Sequence, residues 1–175
     1  MPRIIGLDVS LTDTGVAVIN PFGLTVDRVR SKPTGSTYLE ASMRIDTICA
    51  QIEGRLMAAQ PELVVIESPA FASKTGQAHT RAWLWGRVFD LARRHADVLT
   101  ATPQAVKMYA TGAGNADKDE VLAAVVRRYP NLAVTNNNTA DAVILAAMGS
   151  HYLGEPIANA PTAKTHLRAL DKLAR

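Results

Sequence analysis

Apolar and polar positions along the chain fall into segments of two kinds. Ile4, Ile5 and Leu7, and then Val16, Val18 and Ile19, crowd apolar residues into two short runs either side of the polar stretch SLTDTG. Dense apolar runs of this length between turn residues predict strands. PFG at 21–23 turns the chain again, so 3–9, 14–20 and 24–30 read as a three-stranded meander. The period then changes. Ile45, Ile48, Cys49, Ile52 and Leu56 recur at helical spacing within Tyr38–Ala59, which makes Cys49 a core residue, and Pro61 ends that helix. ELVVIE is a short continuous apolar strand, as expected where both faces are covered.

Beyond the loop SPAFASKTG a long helix runs to about His95. Its spacing predicts a buried stripe of Ala78, Ala82, Trp85, Phe89 and Ala92, with Leu84, Val88 and Leu91 alongside. Trp83 lies off that stripe and shares its face with Arg87, Asp90 and Arg94; a tryptophan among charges suggests contact with another chain or a ligand. ADVLTA predicts a fifth strand and TPQAVKMYA a short helix with Pro103 near its start. After the loop TGAGNA, Asp117 and Glu120 have capping-box spacing for a helix to about Tyr129. TNNNTADAVILAAMGSHYLG is a polar loop feeding an apolar helix, with Asp141 in its first turn. Pro156 and Pro161 bracket a linker, and THLRALDKLAR reads as a terminal helix with Leu167, Leu170 and Leu173 on one side. A meander followed by alternating helices and strands predicts an α/β fold: a mixed sheet with helices on both faces.

Composition narrows the class. The chain has 175 residues, 47% hydrophobic and 20% charged, which fits one globular domain and argues against disorder. The single cysteine excludes an internal disulfide and a cysteine-rich zinc site, and the histidines at 79, 95, 151 and 166 have no ligand spacing. No basic segment leads an apolar one and no apolar run approaches membrane-spanning length, so the expectation is a cytoplasmic protein with no membrane partner. A net charge of +3 leans towards an anionic partner. Two stretches concentrate it: Lys74, Arg81, Arg87, Arg93, Arg94 and Lys107, and then Lys164, Arg168, Lys172 and Arg175 in the tail. Such clusters suit phosphate contacts, and equally suit solvated helix faces.

Three carboxylates occupy unusual places. Asp8 stands in or at the end of the first strand, Glu67 ends VVIE, and Asp141 opens an otherwise apolar helix. Burying an unpaired carboxylate costs several kcal/mol or more, roughly, so each needs a reason. Taken singly, each has a plain one: Asp8 bonding the hydroxyls and amides of SLTDTG, Glu67 at the surface, Asp141 favouring the helix dipole. Together, on strand ends and a helix start, they can face one cleft. Clustered carboxylates repel unless a cation holds them, and hard oxygen donors suit Mg²⁺ or Mn²⁺.

GLDVSLTDTGVAVI, VVIESPAF, the SKTGQA helix start, TPQAVKMYATGAGNADKDEV and NNTADAVILA resemble successive motifs of the RuvC-type Holliday junction resolvases, of the ribonuclease H-like superfamily. The resemblance covers roughly residues 3 to 152, in the family's order. It implies a ribonuclease H-like fold with a five-stranded mixed sheet, a homodimer, and Mg²⁺- or Mn²⁺-dependent symmetric cleavage of branched DNA, with no nucleotide cofactor. It divides the chain into a nuclease domain, 1–152, and a linker with a short C-terminal helix, 153–175. By position Asp8, Glu67 and Asp141 match the metal-binding acids, and Lys107 and Lys118 the basic residues near the scissile phosphate. Phe71, Lys74 and Arg81 join those lysines as candidates for touching DNA. The helix from about Gly76 matches the one through which the family dimerises, which would give Trp83 a partner.

Three positions depart from the family pattern. Asn138 stands where a second acid or a histidine is usual; its amide oxygen suits a hard metal, and Asn is equally a favoured helix N-cap. Ser10 replaces a glycine. Phe71 lies one residue further from Glu67 than the family's base-stacking aromatic. For two divalent ions, three carboxylates and a phosphate make a neutral site with Asn138, where a fourth acid would leave it negative. Other readings remain open. Asp8, Thr12, Thr14 and Gly15 faintly resemble the phosphate-binding hairpin of sugar kinases and actin-like ATPases, which need two copies of the fold. A ribonuclease on structured RNA and a branched-DNA-binding protein without cleavage are the others.

Overall fold

The computed structural model describes residues 1–33, 35–69 and 77–175. Its elements follow the predicted order: β1 (Ile4–Asp8), β2 (Asp13–Asn20), β3 (Gly23–Arg30), α1 (Tyr38–Ala59), β4 (Leu63–Glu67), α2 (Ala78–Ala92), β5 (Asp97–Ala101), α3 (Pro103–Thr111), α4 (Lys118–Arg128), α5 (Asn137–Tyr152) and α6 (Lys164–Leu167). The expected terminal helix shrinks to α6 and a 3₁₀ turn at Leu170–Lys172. The sheet runs β3-β2-β1-β4-β5. The meander pairs antiparallel, while β1, β4 and β5 run parallel, giving the five-stranded mixed sheet.

Strand pleating sends alternate residues to opposite faces. Ile4, Ala17, Ile19, Leu63, Val65 and Leu99 pack with α3, α4 and α5. Ile5, Leu7, Val16, Val64 and Ile66 pack with α1 and α2, where the predicted α1 stripe, Cys49 included, is buried. The α2 stripe is a correction. Leu84, Val88, Leu91 and Ala92 are the buried residues; Ala82 is exposed, and Trp85 and Phe89 are only half-buried. Two apolar rows interleave on this helix, and the sheet covers the aliphatic one.

Helix α5 is buried on nearly every side and lies unusually close to the sheet. A Cβ on Gly6 would stand 2.2 Å from the Ala142 carbonyl oxygen, and one on Gly15 2.0 Å from that of Asn138. Glycine at these two strand positions lets helix backbone touch strand backbone. The C-terminal segment is built onto the same face. Ser150 Oγ donates to the Glu155 carbonyl (2.9 Å), the ring of His166 meets the Tyr109 carbonyl through Nδ1 (2.8 Å), and Ala174 exchanges backbone bonds with Thr100 at the β5 edge (2.7 and 3.0 Å). No helix among the described residues is long and apolar enough to cross a membrane.

Candidate active site

Parallel pairing of β1 and β4 stops at Leu7–Ile66, so Asp8 and Glu67 are the next residues of adjacent strands, released from that ladder at the same end of the sheet. The turn after Asp8 satisfies itself. Thr14 Oγ1 donates to the Ser10 carbonyl (2.8 Å) and accepts from the Ser10 N–H (3.0 Å), and Ser10 Oγ accepts from the Thr12 N–H (3.3 Å). Ser10 thus has a use in the turn, and none of these bonds occupies the Asp8 carboxylate. Asp141 comes from α5. It lies in the second turn rather than the first, because the helix begins earlier than expected: Asn136 is the N-cap, its Oδ1 accepting from the Thr139 N–H (2.9 Å).

The three acids line one cavity of about 140 Å³, with Lys107 from α3, Lys118 from the first turn of α4, and Asn137 and Asn138 from the first turn of α5. Lys118 is placed by the predicted capping box, in which Asp117 accepts from the Glu120 N–H (2.8 Å) and Glu120 from the Asp117 N–H (2.8 Å). Burial, and then the neighbouring Asp141, push the Asp8 carboxyl up to about 7. Burial, with Asp8 and Asp141 adding repulsion, raises Glu67 to about 8. Asp141 rises to about 6 through burial, opposed by Lys118 and Lys107. Each acid is therefore held in a place where its charge is disfavoured unless a cation arrives.

The donors suit a hard divalent ion: three carboxylates and carboxamides, with no sulfur or imidazole among them. Among the described residues no three acidic, histidine or cysteine side chains stand close enough to share a single ion. They border the cavity instead, near enough that Glu67 feels the charges of Asp8 and Asp141 and that Asp8 feels Asp141.

The choice left open for Asn138 is resolved in part: it is not the N-cap. Its Nδ2 donates to the Asp13 carbonyl (2.5 Å), which leaves Oδ1, on the other side of the planar amide, as the atom available to the cavity it lines. Asn136 Nδ2 donates to the Asp13 carboxylate (2.7 Å), which also takes two bonds from Arg28 (2.8 and 2.5 Å). Asp13, Arg28 and Asn136 thus clamp the start of α5 to β2 and β3. Sequence reasoning missed this clamp, and it missed Asn137, whose Oδ1 is buried beside the acids with no hydrogen-bond partner among the described residues. It also took Trp85 for core, although an indole N–H at a half-buried position needs an acceptor; here it donates to the Glu67 carbonyl (2.8 Å).

A second cavity of about 360 Å³ adjoins the first, bordered by Asp8, Glu67, Arg81 and Trp85, so Arg81 does reach the edge of the site. Phe71 and Lys74 lie outside the described residues. Of the other basic residues in that stretch, Arg87 pairs with Asp46 (2.9 Å) and Arg93 with Asp90 (2.8 Å). Trp83 is 38% exposed.

Comparison with known proteins gives a consistent result. The family model described as crossover junction endodeoxyribonuclease RuvC matches residues 4–149. The crossover junction endodeoxyribonuclease RuvC of Rhodococcus jostii is 34% identical over 152 residues, spanning 82% of this chain and 78% of that protein. The structure of Thermus thermophilus RuvC superposes with a TM-score of 0.68 at 25% identity, over 88% of this chain and 98% of the other. The same protein in complex with a Holliday junction substrate gives 0.69 at 22% identity, over 90% and 100%, a likeness of fold.

Proposed function

This chain belongs to the RuvC family of crossover junction endodeoxyribonucleases, and on that premise we propose that it resolves Holliday junctions by metal-dependent cleavage of paired strands as a homodimer. The observation that carries the reading is the set of three carboxylates and two lysines around one cavity at the ends of β1 and β4.

Asp8, Glu67 and Asp141, with the Asn138 amide oxygen, are the residues that would hold Mg²⁺ or Mn²⁺. When bound, the ions would supply Lewis acidity to the scissile phosphate and to the attacking water. The chain's own groups supply the rest. Asp8, at the end of the strand beside Glu67, is the acid placed to be a ligand. Lys118 and Lys107 bring positive charge to the phosphate, where charge builds up in an in-line displacement. Arg81 would meet DNA on the α2 side, and Lys74 and Phe71 are further candidates for DNA contact. A four-way junction has approximate two-fold symmetry, so an isologous pair of chains presents two sites to opposed strands. In the proposed dimer α2 meets its counterpart and Trp83 gains a partner. Residues 1–152 form the nuclease unit in this reading, with 153–175 appended as a linker and short helix.

The test is cleavage of a labelled four-way junction beside linear duplex and an RNA–DNA hybrid, with Mg²⁺, Mn²⁺ or EDTA, for wild type and Asp8→Asn. Paired cuts in opposed junction strands, abolished by EDTA and by the substitution, are expected. Binding without cuts under either metal would make the chain a silent junction binder, and cuts confined to the hybrid would make it a ribonuclease.

A further inference from the structure

The end of β4 is held asymmetrically. On one side Glu67 pairs with Ala101 of β5, and the Ser68 N–H donates to the Ala101 carbonyl (2.8 Å). On the other side the ladder to β1 has already ended at Ile66. The Glu67 carbonyl is taken instead by Trp85 of α2, whose indole N–H donates to it at 2.8 Å. The indole plane is fixed by stacking on Phe89 one turn along, with ring centres 5.3 Å apart and planes 21° from parallel. Its other surroundings include the cavity that Trp85 shares with Asp8 and Glu67.

Resting on the nuclease reading, we propose that Trp85 is a positioning residue: through its indole N–H it fixes the main chain of Glu67, and so ties the seating of α2 to the aim of a metal-ligating carboxylate. The bond is of the kind that works at a distance from chemistry. It engages the main chain and not the carboxylate, yet it replaces a neighbouring strand at the one residue of β4 whose side chain must be aimed. A half-buried carbonyl that loses its donor, at a strand end with a free side, can turn to find another. Glu67 would turn with it. Tryptophan suits the task because a rigid ring carries the donor across the gap between helix and strand.

The test uses Trp85→Phe, which keeps a ring to stack on Phe89 and removes the indole N–H together with the ring that bears it. Mn²⁺ affinity is measured by electron paramagnetic resonance on the full chain without DNA, and junction binding and turnover are measured separately. The expected result is Mn²⁺ affinity and kcat each lowered about three- to tenfold, the worth of one hydrogen bond, with junction Kd unchanged. A folded variant with wild-type Mn²⁺ affinity and kcat would overturn the proposal. A second readout needs neither metal nor a variant that folds: the indole N–H exchange rate of Trp85 in the metal-free wild type. The Trp85 proton is expected to exchange far more slowly than a free indole N–H, and exchange at the free rate would also overturn the proposal. A wild type that neither binds Mn²⁺ nor cuts DNA would sink the nuclease reading instead, and the exchange rate would still decide whether the indole holds Glu67.

Discussion

Gly15→Ala is the substitution that most directly asks whether backbone contact sets the site. The added Cβ would lie 2.0 Å from the Asn138 carbonyl oxygen and 3.1 Å from the Ala142 Cβ. A close C–H···O contact needs about 3.3 Å, so α5 or β2 must give by about 1 Å or more. The nearest neighbour is α5 backbone and the other is a Cβ fixed directly to it, so no flexible side-chain end is available to yield. Overpacking of this kind costs about 1–3 kcal/mol, or roughly 2–12 °C in Tm for a chain of this size. The displaced residue is Asn138, three positions from Asp141, so the acid and the amide oxygen move away from Asp8 together. A 1 Å misplacement is worth about 10²-fold in rate. Thermal unfolding and junction cleavage are compared for wild type, Gly15→Ala and Gly54→Ala. Gly54 has open space around its missing Cβ and lies inside α1, so alanine there should stabilise by about 0.5–1 kcal/mol. Wild-type Tm and cleavage in Gly15→Ala would refute the close-approach argument. A lowered Tm with full activity would refute the link from helix seating to chemistry.

Asn138→Asp should cost the metal-free protein about 1–3 kcal/mol, because a carboxylate would replace the donor that faces the Asp13 carbonyl; urea unfolding checks this, and unchanged stability would mean that the amide bond holds nothing. Lys118→Met should lower kcat about 10²–10³-fold while junction Kd moves little, whereas an equal fall in binding would make the lysine an anchor for DNA only. The Asp13 carboxyl is held below its ordinary value by the Arg28 hydrogen bond and charge and by Asn136. A depressed carboxyl stabilises the fold above its unfolded value of 3.8 and loses that contribution as pH falls through the folded value. Asp13→Asn should therefore be about 1–3 kcal/mol less stable than wild type at pH 7 and converge with it under acid; a gap independent of pH would show that the charge is not what the clamp uses.

The elements were legible because their periods were clean. Strands covered on both faces wrote themselves as IIGL and LVVI, and α1 as a single stripe ending at Leu56. On α2 two rows share helical spacing, Ala82–Trp85–Phe89 and Leu84–Val88–Leu91, and periodicity cannot say which one meets the sheet. The run NNNT offers three capping asparagines, and only Thr139, bonded by the side chain of Asn136, selects the first. The acids were legible as polar residues at the ends of apolar runs. The clamp at Asp13 was not, since it joins residues 123 positions apart, and a charge in a turn looks the same whether solvated or paired.

The neutral residue at position 138 follows from that same neighbour. The Asp13 main-chain carbonyl, presented by the first residue of β2, needs a donor from the first turn of α5. An acid at 138 would set a carboxylate against that carbonyl, in a site where three carboxylates are already pushed up by burial and two of them, Asp8 and Glu67, also by neighbouring acids. A carboxamide meets both demands, giving its nitrogen to the frame and keeping an oxygen for the cavity. On these grounds the departure at Asn138 is a local fit to β2 and not a loss of the site. It fixes the first turn of α5 from one side while Gly15 admits that turn from the other, so the position of Asp141 depends on two backbone contacts with a single strand.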